Sequence, residues 1–323
     1  MSPVASAPPA VTARVPAKVN LQLAVGPAGP DGYHGVVTVY QAISLYDEVT
    51  VQPAERTSVQ VTGLDAEHVP AGPANLASKA VTALAKAAGL GGRPGVRIGI
   101  RKRIPVAAGL AGGSADAAAA LVACNELWQA GLSPAQLARV AARLGSDVPF
   151  LLVGGTVVGR GRGEHLTPAL VSGTYHWALA FATGGLSTPE VYATCDRLRA
   201  ARLAEQAAGE PAEIGDPELS GRLMTALRSG DPVAVGQHLS NDLQPAAVSM
   251  RPDLRRALTA GREFGAVGAM VSGSGPTCLF LAKSAEHARE IAVSLTGAGI
   301  CRAVALASGP VPGAALVTSG ETA

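Results

Sequence analysis

A glycine- and alanine-rich segment near the middle of the chain, RKRIPVAAGLAGGSADAAAALVACNELW (residues 101–128), limits the possible folds more than any other stretch. It predicts the end of a strand over Val96–Ile104, then a loop, then a helix from about Ser114 to Gln129. The loop glycines have no Cβ, so their backbone can lie directly against a ligand. The first amides of a helix have no partner within it, and the helix dipole is positive at that end. The segment therefore predicts a phosphate-binding loop.

The loop differs from two common phosphate-binding signatures. A Walker A loop needs a lysine after its last glycine, whereas Gly113 is followed by Ser114. The dinucleotide fingerprint GxGxxG does not match either, and no acidic residue follows at the expected distance. A tight turn that only permits close packing is the alternative. Ser114 and Asp116 do not exclude it, because both also suit the first turn of a helix as cap and acidic residue.

Composition indicates an ordinary globular protein. The 323 residues are enough for two domains, and 48% hydrophobic with 15% charged residues excludes a disordered chain. A net charge of +2 and 3% aromatic residues do not favour a nucleic-acid-binding surface. The four cysteines and six histidines show no metal-ligand spacing, which predicts reduced thiols and no structural metal site. No signal peptide or bilayer-spanning run is visible. We therefore expect a cytoplasmic enzyme or binding protein that associates with no membrane.

Strand and helix patterns divide the chain into two domains. We predict a disordered leader over residues 1–10, an N-terminal domain over 11–170, a C-terminal domain over 171–308 and a disordered tail over 309–323. The stretch Ala204–Pro217 predicts an exposed loop. The second half has the order strand, helices, hairpin, helix, strand, which is typical of a split βαβ layout. In the first half we predict strands over 11–25, 36–44, 48–52 and 58–62, helices over 75–88 and 133–145, and a hairpin over 156–167.

Three separated motifs resemble one enzyme family. Pro16–Asn20 (PAKVN), the Pro105–Ala117 loop and Val271–Pro276 (VSGSGP) are similar to motifs of the small-molecule kinases named for galactokinase, homoserine kinase, mevalonate kinase and phosphomevalonate kinase. In that family the central motif is a phosphate loop of the type PxxxGLxxSxx. One departure is Ala107-Ala108, where such loops often carry more glycine.

The resemblance implies an α+β two-domain fold, with an N-terminal domain like domain 2 of ribosomal protein S5 and a C-terminal ferredoxin-like domain. It also implies ATP and Mg²⁺ as cofactors, with Ser114 able to contact a phosphate or the ion. The residues that it assigns to ATP binding are Pro105, Val106, Ala107, Ala108, Gly109, Leu110, Ala111, Gly112, Gly113, Ser114 and Ala115.

Two further motifs narrow the resemblance. Asp31–His34 (DGYH) and Leu144–Pro149 (LGSDVP), together with Ala17–Leu21, are similar to those family members that phosphorylate a cytidylyl-linked sugar alcohol. The likeness runs from about Val11 to Gly309. It implies transfer of the ATP γ-phosphoryl group to the 2-hydroxyl of that alcohol, a step of the non-mevalonate route to isoprenoid precursors.

Phosphoryl transfer to an alcohol uses a carboxylate that orients the hydroxyl and accepts its proton. Asp147 is the candidate for this base, and Lys18 for a cation that keeps the carboxylate ionised and stabilises developing charge. The alternatives are that Asp147 caps a turn and that Lys18 is a solvated strand lysine.

The substrate-side candidates follow from the resemblance. His34 and Tyr192 are expected to hold cytosine between them, and Asn20 and Tyr33 to line the sugar-alcohol pocket. The alternatives are a packed Tyr192 and a turn residue at His34. The remaining candidates are Thr188, Gly273, Ser274 and Gly275.

Two other functions stay open. Another kinase of the same family, such as homoserine or mevalonate kinase, would not depend on a pyrimidine. A non-catalytic RNA-binding or regulatory module on the same fold would need a basic, aromatic-rich surface and neither Lys18 nor Asp147. We expect a monomer or weak homodimer that binds small molecules and no nucleic acid.

Overall fold

The chain is described by a computed structural model. The structure describes residues 10–91, 94–206 and 214–317. Within these residues the strands form two sheets, each with its own layer of helices. None of the described helices is both long and apolar enough to cross a bilayer.

The strands of the described residues are β1 (Val11–Ala28), β2 (His34–Ala54), β3 (Ser58–Gly63), β4 (Gly95–Lys102), β5 (Thr156–Arg160), β6 (His165–Pro168), β7 (Tyr175–Phe181), β8 (Ser240–Asn241), β9 (Gly268–Val271), β10 (Cys278–Ala282), β11 (Ala303–Gly309) and β12 (Ala315–Leu316). The helices are α1 (Leu76–Ala87), α2 (Gly112–Leu127), α3 (Pro134–Ala142), α4 (Val148–Val153), α5 (Thr188–Gln206), α6 (Gly221–Ser229), α7 (Pro232–Gln237), α8 (Gln244–Met250), α9 (Pro252–Glu263) and α10 (Ala285–Gly297).

The larger sheet has the order β12-β1-β2-β4-β3, with β5 and β6 added beside β2 and β8 beside β1. Its spine is the long antiparallel pair of β1 and β2. The helix α2 packs on both of these strands and on α1. Six of the 16 residues of α2 are alanine, and the helix is buried on nearly every side, because such small side chains allow close approach to the sheet. The N-terminus of α2 is thereby held in the interior.

The smaller sheet has the order β11-β7-β10-β9, and every neighbouring pair in it is antiparallel. Along the chain its elements run β7, helices, β9, β10, α10, β11. This is the split βαβ arrangement of a ferredoxin-like domain. The expected α+β two-domain fold is confirmed.

Several elements differ from the sequence-based predictions. β2 is one continuous strand where two were predicted, because the polar Asp47 in its middle is fully buried and hydrogen-bonded. The short helices α4 and α8 were not predicted. α5 continues to Gln206, into the predicted loop from Ala204, and residues 207–213 lie outside the described part.

The predicted disordered tail is wrong for residues 309–317. After β11 the chain returns to the larger sheet, where Leu316 pairs with Ala13 of β1. The Val311 amide donates to the Ala42 carbonyl, and Val311 in turn accepts from Gly155. The segment is ordered because its backbone groups are satisfied by hydrogen bonds to the larger sheet and to α4.

The predicted leader, apart from Ala10, and residues 318–323 lie outside the described part. A domain division at residue 170 stays a prediction. Two later strands, β8 and β12, pair with β1 of the first sheet.

Candidate active site

The predicted phosphate loop connects β4 to α2, and α2 begins at Gly112, two residues before the predicted start. Its N-cap is Ala111, which has a φ of 60° and makes no side-chain capping bond. The cap interpretation of Ser114 is therefore wrong, because Ser114 lies inside the first turn. Gly112, Gly113 and Ser114 line a cavity of about 410 Å³, to which residues of both sheets' layers contribute. We call it the phosphate cavity.

The C-terminal glycine motif packs directly on this loop. The Ser272 hydroxyl donates to the Gly109 carbonyl at 3.0 Å. Gly109 has a φ of 76°, and a Cβ there would collide with the Ser272 carbonyl. The Asn241 amide donates to the carbonyls of Val271 and Gly273 at 2.8 and 2.7 Å, which holds the motif in place. The third sequence motif therefore packs on the second.

A buried charged cluster lies beneath the start of α2. The Lys102 ammonium donates to Asp47 and Asp116 at 2.5 and 2.8 Å, and all three side chains are at most 3% exposed. Asp47 also accepts from the amides of Arg103 and Ile104 at 2.6 and 2.9 Å. Burial, with the Asp47 charge added, raises the pKa of Asp116 to about 8 against the opposing effect of Lys102. The cluster ties β2 and β4 to the first turn of α2.

Lys18 lies in β1 and is 6% exposed, so it is not a solvated lysine. Its ammonium donates to Asn20 Oδ1 at 2.6 Å, and the Asn20 amide donates to Thr38 Oγ1 at 2.8 Å. A Cβ on Gly273 would lie 3.1 Å from the Lys18 ammonium, so the C-terminal motif covers this pair closely. Burial lowers the pKa of Lys18, and the negative charge of Asp147 opposes that shift.

Asp147 sits at the start of α4 but makes no side-chain capping bond, which argues against the turn-cap alternative. Instead, its Oδ1 accepts a hydrogen bond from the Tyr40 hydroxyl at 3.0 Å. The Tyr40 ring stacks on Phe150 of α4, and the Lys18 ammonium lies 5.8 Å above the centre of the Tyr40 ring. Burial, reinforced by Asp147, raises the pKa of Tyr40 well above its usual range, so the hydroxyl remains a donor.

Lys18 and Asp147 both line the phosphate cavity, although no ion pair within 4.0 Å joins them in the described residues. Asn20, Gly273, Ser274 and Thr188 line the same cavity. Thr188 and Ser274 exchange a hydrogen bond of 2.9 Å between their hydroxyls. An acceptor hydroxyl bound there would have a carboxylate, a cation and the phosphate loop within one enclosure.

A second cavity of about 740 Å³, the side cavity, opens beside the first and shares Arg162, Thr188 and Tyr192 with it. His34 and Tyr33 line this side cavity only. Tyr33 is 57% exposed and stacks on the Arg162 guanidinium at 3.7 Å from the ring centre. The side cavity therefore offers aromatic and cationic surfaces next to the phosphate cavity.

The expected sandwich of cytosine between His34 and Tyr192 stays a prediction, because in this conformation the two rings leave no gap for a base. The two rings lie 4.9 Å apart at 40° and contact each other. A base between them would need a gap of roughly 7 Å, which is two van der Waals separations. Burial, and to a lesser extent the charge of Asp147, raises the pKa of the Tyr192 hydroxyl to about 12. Tyr192 packs against the core of the second sheet and His34 begins β2, and both also line the side cavity, so the core and turn alternatives stay open.

Sequence reasoning missed three side chains of these cavities: Tyr40, Arg162 and Asp196. Tyr40 stands opposite Asn20 in the β1–β2 register, and this pairing could have been found by aligning the two alternating strands. Arg162 lies in a short basic cluster at a hairpin, and this pattern does not indicate which way the side chain points. Asp196 binds His34 over a separation of 162 residues, and no local pattern signals such a pair.

A metal ion bound to phosphates would find few protein ligands in the phosphate cavity. The Ser114 hydroxyl and the Asp147 carboxylate are two oxygen donors there that suit Mg²⁺. A separate group of possible ligands in the described residues, Asp65, Glu67 and His68, does not line this cavity. Asp65 instead pairs with Arg302 at 2.6 Å.

Comparison with known proteins decides the family. The family model described as the GHMP kinases N terminal domain matches residues 75–155, and the GHMP kinases C terminal model matches residues 223–301. The first match contains the phosphate loop and Asp147, and the second contains the C-terminal glycine motif. The chain belongs to the GHMP kinases. The sequence-based resemblance is thereby confirmed, and so is the expected class of enzyme, a phosphotransferase that uses ATP.

Individual members are similar over nearly the whole chain. The 4-diphosphocytidyl-2-C-methyl-D-erythritol kinase of Nocardia farcinica is 54% identical over 310 residues, which cover 96% of this GHMP kinase and 97% of the relative. A crystal structure of 4-(cytidine 5'-diphospho)-2C-methyl-D-erythritol kinase is 32% identical, with a TM-score of 0.72 and coverage of 92% and 98%. A homoserine kinase structure from Cytophaga hutchinsonii has a TM-score of 0.71 at 20% identity over 95% and 97%, and shows the shared fold only.

Proposed function

We propose that this GHMP kinase transfers the γ-phosphoryl group of ATP to the 2-hydroxyl of 4-diphosphocytidyl-2-C-methyl-D-erythritol. The product would be the 2-phosphate of that compound, in the non-mevalonate route to isoprenoid precursors. We further propose that the chain works as a monomer or weak homodimer and requires no nucleic acid. The 54% identity to the Nocardia farcinica relative supports this choice of substrate.

The observation that carries the proposal is the meeting of three distant motifs around one enclosure. Lys18 from β1, Asp147 from α4 and the glycine motif at Gly273 all line the phosphate cavity with the start of α2. These groups are far apart in the sequence, and a purely structural role would not require them to face the same empty volume.

The backbone at the start of α2 is suited to bind the triphosphate. Gly113 has open space where a Cβ would stand, so a phosphate oxygen can approach its amide closely. The N-terminal end of α2 adds partial positive charge. The Lys102 cluster beneath it fixes the position of this turn, because the Asp116 carboxylate belongs to α2 and is bonded to β4.

Asp147 is proposed to orient the attacking hydroxyl and to accept its proton. Tyr40 binds only Oδ1 of this carboxylate, so Oδ2 is available to the substrate. Lys18 uses one of its three N–H groups on Asn20, and the others can stabilise negative charge on the attacking oxygen or the transferred group. Asn20 and Gly273 keep the ammonium in place.

Mg²⁺ is proposed as the divalent ion. It would neutralise charge on the ATP phosphates, and Ser114 would be its protein contact, since Mg²⁺ is commonly held by few protein ligands and several phosphate oxygens and waters. The donors in the phosphate cavity fit such a site.

The side cavity is proposed to receive the cytidylyl end of the substrate. It adjoins the phosphate cavity through Tyr192 and Thr188, which allows one extended molecule to occupy both. Tyr33 supplies an exposed aromatic face, and Arg162 beside it can pair with a diphosphate. The contacting His34 and Tyr192 rings then border one edge of the base.

Homoserine or mevalonate kinase activity is the second candidate. The fold does not decide between these substrates, because the TM-score is 0.71 for the homoserine kinase structure and 0.72 for the 4-(cytidine 5'-diphospho)-2C-methyl-D-erythritol kinase structure. The side cavity argues for the larger, nucleotide-linked substrate, since a small acid or alcohol would leave it unused.

The test is an ATP-to-ADP assay with purified protein and Mg²⁺, which offers the cytidylyl substrate, homoserine and mevalonate in parallel. We expect turnover of the cytidylyl substrate alone. Asp147→Asn should lower kcat at least 100-fold, as is typical of the loss of an acid–base group. Lys18→Met should lower kcat to a similar extent.

Matched controls are Asp216→Asn and Lys86→Met, which change an exposed carboxylate and an exposed ammonium. Both should leave kcat unchanged. Turnover of homoserine or mevalonate in preference to the cytidylyl compound would overturn the proposed substrate. Full activity of the Asp147→Asn variant would overturn the role of that carboxylate.

A further inference from the structure

A carboxylate holds the histidine of the side cavity. His34 Nε2 lies 3.0 Å from Asp196 Oδ1 and 3.1 Å from Asp196 Oδ2. The His34 side chain is 7% exposed and the Asp196 side chain 39% exposed, so the pair sits at the cavity wall. Asp196 follows Tyr192 by four residues on α5, and both side chains therefore face the same way toward His34.

The neighbouring cations do not compete for this carboxylate. Arg197 donates to Thr194 at 2.8 Å, and Arg199 donates to Asp242 at 2.9 Å. Among residues 10–91, 94–206 and 214–317, the only hydrogen-bond partner of the Asp196 carboxylate is His34. Within the described residues, the Asp196 carboxylate therefore binds His34 and no other side chain.

An ionised carboxylate can only accept hydrogen bonds, so the ring nitrogen that faces it must carry a proton. In a neutral imidazole the other nitrogen then has a free lone pair and acts as an acceptor. His34 Nδ1 makes no hydrogen bond to any part of the chain that the structure describes. Because His34 lines the side cavity, a ligand there can use this nitrogen as an acceptor.

The two common pyrimidines differ at the group that such an acceptor would meet. Cytosine carries an exocyclic amino group, which donates, whereas uracil carries a carbonyl oxygen at the same position, which accepts. An acceptor nitrogen at His34 would bind the amino group. It would face the uracil oxygen with two lone pairs opposed and no proton between them.

From this geometry we propose that Asp196 is a positioning residue that sets base specificity. It fixes His34 in the form with a proton on Nε2 and a lone pair on Nδ1, and so selects a cytidylyl over a uridylyl substrate. The inference rests on the proposed function for its substrate. Asp196 itself does not touch the base.

The test uses the full chain and its variant Asp196→Asn. An asparagine can donate as well as accept, so the histidine is no longer confined to one form. Binding of cytidine 5'-diphosphate and uridine 5'-diphosphate is measured by calorimetry at about pH 8, where an ordinary imidazole is neutral. The unaltered protein should prefer the cytidine compound by tenfold or more, and the variant should lose roughly tenfold of that preference, the size of one hydrogen bond.

Two further readouts separate this role from a merely structural one. With the cytidylyl substrate, Asp196→Asn should raise KM roughly tenfold and leave kcat within about twofold, because the reacting groups are untouched. Nitrogen-15 NMR of the histidine rings should show a single Nε2-protonated form for His34 in the unaltered protein and a mixture in the variant. Asp196→Glu, which keeps an acceptor-only group, should restore part of the base preference.

The matched control is Glu190→Gln, an exposed carboxylate on the same helix. It should leave base preference and kinetics unchanged. An unaltered base preference in Asp196→Asn, or no preference in the unaltered protein, would overturn the inference. Failure to phosphorylate the cytidylyl substrate would instead overturn the proposed function, and the diphosphate binding measurement would still decide the role of Asp196.

Discussion

The Tyr40 hydroxyl donates to Asp147 Oδ1 at 3.0 Å, and this bond joins β2 to the start of α4 across the phosphate cavity. It occupies one carboxylate oxygen and leaves the other available to the proposed acceptor hydroxyl. A buried tyrosine whose pKa is raised keeps its proton over the working pH range, so it orients Asp147 without taking part in proton transfer.

Replacement of Tyr40 by phenylalanine tests this orientation. We expect kcat to fall roughly tenfold, because a catalytic group whose supporting hydrogen bond is lost adopts several orientations. The KM for ATP should change little, since Tyr40 does not belong to the phosphate loop. Steady-state kinetics of Tyr40→Phe and of the control Tyr46→Phe, a half-exposed tyrosine on the same strand, provide the measurement. A kcat equal to that of the unaltered enzyme would contradict the orienting role.

Two glycines of the phosphate loop are predicted to fail for different reasons when changed to alanine. Gly109 has a φ of 76°, which strains any residue with a Cβ, and a Cβ there would also collide with the Ser272 carbonyl. Gly109→Ala should therefore lower the melting temperature by several degrees. At Gly113 no atom lies within 4 Å of the added Cβ. Gly113→Ala should therefore fold normally and raise the KM for ATP, because the methyl group occupies space next to the helix amides. Thermal melts with ATP titrations distinguish the two effects, and an unstable Gly113→Ala protein would contradict this.

The raised pKa of Asp116 predicts a pH dependence of stability. The folded protein keeps this proton up to a pKa of about 8, whereas the unfolded chain releases it near the ordinary aspartate value. Between about pH 4 and pH 8 the folded state therefore binds more protons, and the free energy of unfolding falls as pH rises, by at most about 1.4 kcal/mol per pH unit. Above that window the contribution is constant.

Asp116→Asn removes this titration, because an amide resembles the protonated carboxyl group. Denaturant melts at several pH values should show the variant gaining stability relative to the unaltered protein from about pH 4 to pH 8, with no further gain above. Glu126→Gln, an exposed carboxylate on the same helix, serves as the control and should show no such trend. Parallel stability curves for Asp116→Asn and the unaltered protein would mean that Asp116 is ionised throughout.

The C-terminal segment is predicted to stabilise the first sheet. Deletion of residues 310–323 removes β12 and the hydrogen bonds of Val311 and Ala314 to the N-terminal domain. We expect a melting temperature at least 5 °C lower, which corresponds to the loss of a few backbone pairings in a protein of this size. Deletion of residues 318–323 alone leaves β12 in place and should have no effect. Equal stability of both deletion variants would contradict the assignment.

The parts of the fold that local pattern controls were predictable from the sequence. Asn75 caps α1 and Ser133 caps α3, and both starts were visible from the cap residue and the apolar spacing that follows it. The start of α2 was placed two residues late, because the left-handed residue before it is an alanine and not a recognisable cap. The continuous β2 was missed because Asp47 breaks the apolar pattern, and only its partners on β4 and α2 satisfy it.

Within the candidate site, the residues carried by motifs were predictable and those held by long-range contacts were not. Lys18, Asp147 and the phosphate loop lie together as the motifs indicated. Their catalytic roles stay predictions. Tyr40 and Asp196 bind motif residues through hydrogen bonds that span 107 and 162 positions. The spacing of residues in a single sequence does not predict contacts over such separations. The direct contact of His34 with Tyr192 likewise depends on how α5 packs against β2.

The pairing of β12 with β1 determines the order in which the molecule is completed as it is made. Ala13 of β1 pairs with Leu316, which is synthesised roughly 15–60 s later at ordinary rates of synthesis. Until then that edge of β1 is an unpaired strand edge, open to other chains. The first sheet is therefore completed only after the residues of the second sheet have been synthesised, when Ala315 and Leu316 pair with β1.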